Sequence, residues 1–301
     1  MQSIKPETKH DSEQEIKTDL PMKLQKENEH RRDKYLHFNE EKHIYTIWTP
    51  SKMTRSSAKQ ASKSLLNIRN VGENYVSVTT WIKNLFEKFD SDKIINKMMN
   101  SKNWSSSKYF GMTKYQIKNQ WFANGRKAAE EGTKMHYNIE CFYNDIVKID
   151  NSVEFQYFKQ YDDDRTIKYP NLKPYRTEWM VYDEEMKIAG SIDMVYKCEK
   201  TGKLHIYDWK RCKEIKKTNP WQNSIHPQLE HIPDTNFWHY TLQLNIYKAV
   251  VERNYGMKVE SLNLVCLHPE NTNYIQYNVP ILTDEMTILV DELIKCNKDI
   301  K

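Results

Sequence analysis

The sequence has no run of about 18 apolar residues, the length a helix needs to cross a bilayer, so a membrane protein is not expected. It has only seven glycines in 301 residues, which argues against a glycine-rich loop as its main means of binding phosphate. The N-terminus has no apolar signal-peptide core, and its acids are atypical of a mitochondrial transit peptide. We therefore expect an intracellular protein of the cytosol, the nucleus or a viral factory, neither secreted nor membrane-bound.

Cysteine is sparse and scattered, at positions 141, 198, 212, 266 and 296, and no C-x-x-C pair occurs. Zinc ribbons and cysteine-ligated iron–sulfur clusters are therefore not expected, and a reducing compartment fits best. There is also no strong excess of charge, because 46 lysines and arginines face 41 acids. A net charge of +5 is compatible with nucleic-acid binding but does not identify it.

Composition divides the chain into three segments. Residues 1–35 are rich in Lys, Glu and Asp with little apolar periodicity, which predicts a disordered charged tail. Residues 36–110 are interpreted as a mainly helical N-terminal extension or lid, with a short strand near residues 43–48 and a basic surface insertion at 49–72. Residues 111–301 carry the strongest periodic patterns and are expected to form the core domain.

The core segment alternates between helical and strand patterns. A long helix is predicted over about 113–145, where Thr113 is the capping residue, and the small residues from Gly125 to Gly132 predict close packing by another element. Strands are predicted at 176–182, 187–196 and 203–210, then a helix at about 235–254. Strands at 261–267 and 274–279 precede a terminal helix from Thr283. This order predicts one mixed α/β domain with helices on both faces of the sheet.

Two acids and a lysine lie on adjacent predicted strands, Asp193 on one and Asp208 and Lys210 on the next. Asp208 and Lys210 are two residues apart, so they share a face of the strand while Trp209 faces the other way. This arrangement suits a divalent cation beside a phosphate group. A solvated strand end is the alternative, because a single D-x-K triplet occurs by chance in many chains.

Two helical pairs accompany these strands. His136 and Glu140 are four residues apart on the long helix, and Gln243 and Tyr247 are four apart on a later one, so each pair shares a helix face. An imidazole with carboxylates is a ligand set that suits manganese or magnesium. Each pair alone would be better explained as part of an ordinary helix.

Four motifs occur together in the order Gly132-Thr-Lys-Met-His136, Gly190-Ser-Ile-Asp193, Asp208-Trp-Lys210 and Gln243-Leu-Asn-Ile-Tyr247. In order and approximate spacing, over about residues 110–270, they resemble the PD-(D/E)XK nuclease superfamily. The resemblance is to its RecB-like branch, which includes the Cas4 proteins and the mitochondrial genome maintenance exonuclease. The Q-x-x-x-Y motif is peculiar to this branch. The resemblance implies an α/β restriction-endonuclease-like core, in which helices flank a mixed central sheet.

The resemblance also implies roles for individual residues. His136, Asp193 and Asp208 would bind one or two Mg²⁺ or Mn²⁺ ions, and Asp193, Asp208 and Lys210 would be catalytic. Because it lies beside two acids, Lys210 is expected to stay protonated and to stabilise charge on the scissile phosphate.

Supporting roles follow from the same resemblance. Gln243 and Tyr247 would brace the site or touch the nucleic-acid backbone, and Glu140 and Glu178 are candidates for an additional acid. Ile192 stands where the superfamily name has proline, a departure common in this branch. The cysteines that hold a cluster in Cas4 proteins have no counterpart, so no iron–sulfur cluster is expected.

The stretch after Lys210 is basic and ends in a tryptophan. Lysines there would contact phosphates without reading sequence, and an aromatic ring could stack on a base. The alternative is a solvated basic loop. The predicted nucleic-acid-binding residues are Arg211, Lys213, Lys216, Lys217 and Trp221.

The leading hypothesis is therefore a metal-dependent DNA nuclease, an exonuclease acting on DNA ends or single-stranded regions in replication, repair or recombination. A helicase or a recombination protein would be its partner. Two alternatives stay open, a catalytically inactive nucleic-acid-binding protein on the same fold and an RNA-directed nuclease. The sequence does not indicate cleavage polarity or oligomeric state.

Overall fold

Residues 22–39, 41–42, 44–49 and 71–299 are described in the computed structural model of the chain. They form seven α-helices: α1 Lys23–Glu27, α2 Val78–Lys83, α3 Ser91–Met99, α4 Lys114–Tyr143, α5 Val153–Lys168, α6 Asn236–Asn254 and α7 Thr283–Asp299. They also form eight strands: β1 Leu36–Asn39, β2 Ile44–Thr49, β3 Val71–Ser77, β4 Leu172–Asp183, β5 Ile188–Cys198, β6 Leu204–Lys210, β7 Val259–Cys266 and β8 Ile275–Val279.

The eight strands form one mixed sheet in the order β1-β2-β3-β5-β6-β7-β8, and β4 pairs with β5 in addition. The β3–β5 and β6–β7 pairs are parallel and the remaining pairs are antiparallel. Helices pack on both faces of this sheet. The α/β architecture with a mixed sheet between helices agrees with the prediction from the sequence.

Strand β5 carries three neighbours, although a strand has only two edges. Strand β4 runs along one edge over its whole length, from Ile188 to Cys198 of β5. Strands β3 and β6 must therefore share the other edge, where β3 pairs with Ile188 and Ala189 and β6 pairs from Met194 onward. Between them, residues 190–193 have no ladder partner on that side. The sheet thus splits at the Gly190-Ser-Ile-Asp193 motif.

Two of the three hydrophobic clusters in the described residues lie on the two faces of the sheet. The larger one packs α2, α6 and α7 against one face and includes Ile206, Leu244 and Leu264, while the other packs α4 and α5 against residues such as Tyr196 and Trp209. Helix α6 is buried from Thr241 to Tyr247 because elements surround it on several sides. The polar residues of that turn are consequently held in fixed positions.

Helix α4 begins where the sequence predicts. The Thr113 hydroxyl accepts a hydrogen bond from the Gln116 backbone N–H, and the Gln116 side chain accepts one from the Thr113 N–H, so a complete capping box starts the helix. The expected close packing along its small residues is wrong. A Cβ added to Gly125 or Gly132 would meet nothing within 4 Å. This stretch projects from the body, and its small residues line open space.

The N-terminal segment differs from the sequence prediction in two ways. Within the predicted disordered tail, residues 22–35 form α1 and a short 3₁₀ turn, because Leu24 is buried and Asp33 makes a buried ion pair with Arg176 on β4 at 2.6 Å. The predicted mainly helical extension at 36–110 supplies three of the eight strands, and β3 joins them to β5. It therefore shares one sheet with the core. Residues 1–21 and most of the predicted basic insertion, residues 50–70, lie outside the described residues.

A further helix was not predicted. Helix α5 occupies the stretch expected to be a linker, and its buried face consists of Phe155, Phe158, Tyr161 and Arg165. Their spacing of three to four residues is helical, but a run of three aspartates hides it in the sequence. Across the part of the chain that the structure describes, none of the helices is both long and apolar enough to cross a membrane.

Candidate metal centre

Four of the predicted site residues converge where the sheet splits. Asp193 is on β5 at the end of the gap, and Asp208 and Lys210 are at the end of β6. Met194 pairs with Tyr207, so the next step of the antiparallel register brings Asp193 level with Asp208, just where the ladder ends. Helix α4 brings His136 to the same point.

Three side chains here could hold a metal ion through one ligand atom each, namely His136, Glu178 and Asp193. These ligand atoms all lie within 4.8 Å of one another, and no other such group of at least three occurs within the described residues. His136 Nδ1 is 3.5 Å from both Glu178 Oε1 and Asp193 Oδ2. One imidazole nitrogen and two carboxylate oxygens suit Mn²⁺ and are compatible with Mg²⁺. Glu178, only a lesser candidate in the sequence, thus belongs to the central group.

Glu178 reaches this position through an unusual backbone conformation. It lies inside β4 with a φ of +42°, and its neighbours Thr177 and Trp179 pair with Met194 and Ile192. Glu178 is therefore opposite Asp193 without a regular ladder bond. A positive φ is unfavourable for a residue with a Cβ, and such strain concentrates at functional sites. The Ser191 hydroxyl donates to Glu178 Oε2 at 2.8 Å and helps to fix the carboxylate.

Asp193 is anchored by the neighbouring strand. Its Oδ2 accepts a hydrogen bond from the Trp209 backbone N–H at 2.9 Å, which replaces part of the missing ladder. Burial raises the pKa of Asp193, and the nearby Asp208 carboxylate raises it further, while His136 acts in the opposite direction. Burial and Asp208 therefore both disfavour the ionised form of Asp193, and a bound cation would favour that form.

His136 is held by two kinds of contact. Its Nε2 lies 3.0 Å from the Trp209 carbonyl oxygen, which leaves Nδ1 directed at the two acids. Burial lowers the pKa of His136, but Asp193 and Glu178 outweigh that effect and raise it to about 9. Without a cation the histidine therefore carries a proton at neutral pH, which a metal ion would displace.

Asp208 is held differently from the other acids. It is 1% exposed, its Oδ2 lies 2.6 Å from Lys210 Nζ, and its Oδ1 accepts a hydrogen bond from Gln243 Nε2 at 3.2 Å. The structure does not place Asp208 in the three-residue ligand group, although the sequence resemblance implied that it would bind metal. Oδ1 is held by the glutamine, whereas the buried Oδ2 forms the ion pair with Lys210 and has no hydrogen-bond partner within the described residues, so Asp208 positions Lys210 mainly through charge.

Lys210 is held in its charged form. Burial lowers its pKa, but Asp208, Asp193 and Tyr240 together raise it well above the ordinary value. The Nζ also lies 4.5 Å from the centre of the Tyr240 ring, a cation–π contact that the sequence did not indicate. The direction agrees with the expectation that Lys210 stays protonated beside two acids.

Tyr247 supports the site from behind. It is 3% exposed, and its ring packs so closely on Gly190 that a Cβ there would lie 2.7 Å from both Cε1 and the hydroxyl oxygen. The glycine of the G-x-x-D motif and the tyrosine of the Q-x-x-x-Y motif therefore fit each other across the split edge of β5. A bracing role matches this burial, whereas contact with nucleic acid does not.

The remaining supporting acid, Glu140, is one turn beyond His136 on α4 and is partly buried. It is not one of the three residues whose ligand atoms come together. The structure brings Glu178 to this group and leaves Glu140 outside it.

The predicted nucleic-acid-binding residues separate into two kinds. Arg211 is 15% exposed and pairs with Glu131 on α4 and Glu154 on α5, at 2.5 and 2.6 Å. It therefore ties two helices to the end of β6 instead of facing solvent. Lys213 and Lys216 are exposed and pair with Glu270 and Glu214.

The end of this stretch is more open to a ligand. Trp221 is 88% exposed, so its ring is available for stacking. The Nζ of Lys217 lies 4.8 Å from the Phe237 ring centre and 5.5 Å from that of Tyr277. These positions fit either a solvated loop or a surface that contacts phosphates.

Comparisons with known proteins give little further information. No family model matches the chain, and no curated protein matches it. Among solved structures the chain is similar to the crystal structure of SSO0001, with 14% identity, over 82% of this chain and 83% of that one, at a TM-score of 0.29. A score this low does not establish a shared fold.

Proposed function

We propose that this protein is a metal-dependent nuclease with a PD-(D/E)XK-type core that hydrolyses phosphodiester bonds in DNA. The observation that carries the proposal is the meeting of His136, Glu178 and Asp193, whose ligand atoms lie within 4.8 Å of one another. Beside them stands the buried pair of Asp208 and Lys210, at 2.6 Å. Metal ligands next to a fixed cation suit phosphodiester hydrolysis, because both stabilise the negative charge that develops on the phosphate.

The residues present fit a divalent cation. A nitrogen and two oxygen ligands converge, and the pKa of Asp193 is raised because burial and Asp208 leave negative charge poorly compensated. His136 and Asp193 would hold the ion, with Glu178 as the third ligand. When bound, Mg²⁺ or Mn²⁺ would polarise the phosphate and lower the pKa of a coordinated water.

The protein's own groups would perform the remaining tasks. Lys210, which is protonated at neutral pH, would place a fixed positive charge beside the phosphate as negative charge develops on it. Asp208 and the Tyr240 ring would hold that ammonium in position. Gln243 would keep the Asp208 carboxylate oriented through the 3.2 Å hydrogen bond. Because the lysine is charged, it would act by electrostatic stabilisation and not as a general base.

A cleavage assay tests this proposal. Purified protein is incubated with end-labelled single-stranded, double-stranded and circular DNA and with RNA, in Mn²⁺ and in EDTA. We expect DNA cleavage in Mn²⁺, none in EDTA, and a loss of at least about 100-fold on Asp208→Asn or Lys210→Met, the size seen when one preorganised charge-stabilising group is removed. Comparing cleavage of linear and circular DNA separates exonuclease from endonuclease activity. Labels at the 5′ and the 3′ end give the direction of cleavage.

The chain offers a matched control. Lys203, just before β6, and Glu260, on the neighbouring β7, form an acid–lysine pair near the other end of β6, and both side chains are about half exposed. Lys203→Met and Glu260→Gln should retain full activity. Absence of cleavage by the wild type would favour an inactive nucleic-acid-binding protein, and cleavage of RNA alone would favour an RNA-directed nuclease.

A further inference from the structure

One described segment of the chain carries a clear excess of positive charge. Residues 83–134 contain eleven lysines and arginines against five acids, an excess larger than the net charge of +5 for the whole chain. This segment runs from the end of α2 through α3 to the projecting half of α4, and we call it the arm. Within the described residues, the arm lysines without an ion pair are Lys83, Lys88, Lys97, Lys102, Lys108, Lys114 and Lys134.

The arm also exposes aromatic rings. Phe89, Tyr115 and Phe122 are each more than 70% exposed, and Phe110 is 59% exposed. These are large apolar side chains on a surface whose remaining residues are mostly polar. Exposed rings between unpaired lysines are the pattern of proteins that bind single-stranded nucleic acid, because bases stack on the rings while the lysines contact phosphates.

A cavity of about 390 Å³ lies within the arm. Its apolar wall consists of Ile94 and Met98 on α3 and of Trp104. The polar part of its lining consists of Lys97, Ser101, Asn103 and Ser107. The Trp104 ring is steadied from the side by Phe110, in an edge-to-face contact with centroids 6.1 Å apart. An apolar cavity with a few polar groups is typical of a small-ligand site, and this volume is within the usual range of about 300–1,000 Å³.

We propose that this cavity binds an unstacked base of single-stranded DNA, which stacks on Trp104 while Lys97 and the neighbouring Lys102 contact the adjacent phosphates. The proposal rests on the nuclease function proposed above and adds the form of the substrate. The arm supplies a positive surface for the phosphates of a single strand and flat rings for its exposed bases. A duplex keeps its bases stacked inside and would leave the cavity unfilled.

The position of the cavity sets the length of strand required. Helix α3 packs on α4 near Lys118, which pairs with Asp92 at 2.6 Å. Lys118 is 18 residues before His136 on α4, which corresponds to roughly 27 Å at 1.5 Å per residue. A strand stacked at about 3.4 Å per nucleotide would need about eight nucleotides to reach from the arm to the metal centre. A shorter strand could occupy both sites at once only if it were unstacked and extended between them.

Binding measured in EDTA tests the proposal independently of cleavage. Fluorescein-labelled oligo-dT of 4, 8, 12 and 20 nucleotides is titrated with the full chain, and Kd is read from anisotropy. We expect Kd to fall sharply between 4 and 12 nucleotides. Trp104→Ala, and separately the double variant Lys97→Gln/Lys102→Gln, should each weaken 20-mer binding at least about 10-fold, whereas Trp104→Phe should retain most of it.

Controls keep the outcomes separable. Tyr169, which caps the C-terminal end of α5 and lies outside the arm, has a 43% exposed ring, so Tyr169→Ala should leave Kd unchanged. The lysine variants are at exposed positions, so they test the site even if Trp104→Ala fails to fold. The proposal is overturned if both the Trp104 and lysine variants bind oligo-dT with a Kd within twofold of the wild type. It is also overturned if the variants lose duplex and single-strand binding equally, or if they lose binding to phosphatidylserine vesicles but not to oligo-dT.

The two proposals can fail separately. If Trp104-dependent binding of oligo-dT is found but no DNA is cleaved in Mn²⁺, the nuclease function fails and the base-binding site stands. If DNA is cleaved but Trp104→Ala and the lysine variant have no effect on Kd, the nuclease function stands and the base-binding site is rejected.

Discussion

Replacing Gly190 with alanine should destabilise the protein and reduce its activity, although glycine here has no positive φ to require it. The reason is steric. An added Cβ would lie 2.7 Å from Tyr247 Cε1, whereas carbon atoms in contact are ordinarily about 3.5–4.0 Å apart. Tyr247 is 3% exposed and cannot swing into solvent. The overlap of roughly 1 Å must therefore be absorbed by β5 or by α6.

Overpacking of this kind costs about 1–3 kcal/mol. The site is sensitive to it because Gly190 is three residues from Asp193 on β5 and Tyr247 is one helical turn from Gln243 on α6. A displacement of either element would disturb the Asp193 carboxylate or the hydrogen bond from Gln243 to Asp208. We expect the free energy of unfolding to fall by that amount and any cleavage rate to fall with it.

A double-mutant cycle gives the sharpest test. Tyr247→Ala alone removes a buried ring and should cost about 3–5 kcal/mol. In that background Gly190→Ala meets no ring, so its own cost should fall to near zero, which gives a coupling energy of about 1–3 kcal/mol. Urea unfolding of the four proteins measures these values, provided that they share one m-value.

Gly132→Ala is the matched control. A Cβ there meets nothing within 4 Å, so alanine in this helix should stabilise the protein by up to about 1 kcal/mol. A neutral effect of Gly190→Ala, or additivity with Tyr247→Ala within about 0.5 kcal/mol, would refute the steric reasoning.

Three further outcomes follow from the same structure. Asp33→Ala should lower the free energy of unfolding by about 3–5 kcal/mol, because it leaves the buried Arg176 without its ion-pair partner. Lys23→Ala removes an exposed pair and should leave the urea midpoint of the wild type unchanged. Equal midpoints for the two variants would mean that the N-terminal segment is not docked. Mn²⁺ affinity, measured by calorimetry, should rise with pH up to about 9, because the cation must displace the proton of His136, whose pKa is raised to about 9; affinity that does not change with pH would contradict this. Arg211→Met should lower the melting temperature with little change in the salt dependence of DNA binding, because this arginine ties two helices to β6. If Lys216 contacts a phosphate, Lys216→Met should reduce the slope of log binding constant against log salt concentration by about 0.7.

Without a metal ion, the free energy of unfolding should also depend on pH through His136. A folded-state pKa of about 9 for His136, above its ordinary value, contributes stability that is fully present below about pH 6.5. That contribution is lost as the pH rises toward 9. The raised pKa of Asp193 acts in the same direction at lower pH.

The long, strongly patterned elements of the fold were predictable from the sequence. Helix α4 has a capping box at Thr113, and β4, β5 and β6 are largely apolar and lie between clear turns, so their bounds differ from the prediction by only a few residues. The position of Asp208 and Lys210 on one strand face follows from the period of two. Helix α5 and strands β1 and β3 were missed because they are short or highly polar, and neighbouring elements supply most of their burial.

The arrangement of the site depended on features without a local sequence signal. The sharing of one edge of β5 by β3 and β6 is set by tertiary packing, and it is what leaves the Gly190–Asp193 stretch open. The positive φ of Glu178 depends on its register with Asp193, so it could not be told from an ordinary strand residue. Arg211 is basic in the sequence, but only the fold shows the two glutamates that bind it.

The most direct test of the nuclease function is a cleavage reaction in ¹⁸O-labelled water. A single-stranded DNA of about 20 nucleotides is incubated with the protein and Mn²⁺, and the products are examined by mass spectrometry. Hydrolysis at this site predicts one ¹⁸O atom in each newly formed terminal phosphate with wild type and with Lys203→Met, and no product with Lys210→Met. No labelled product from the wild type, or equal product from Lys210→Met, would contradict it.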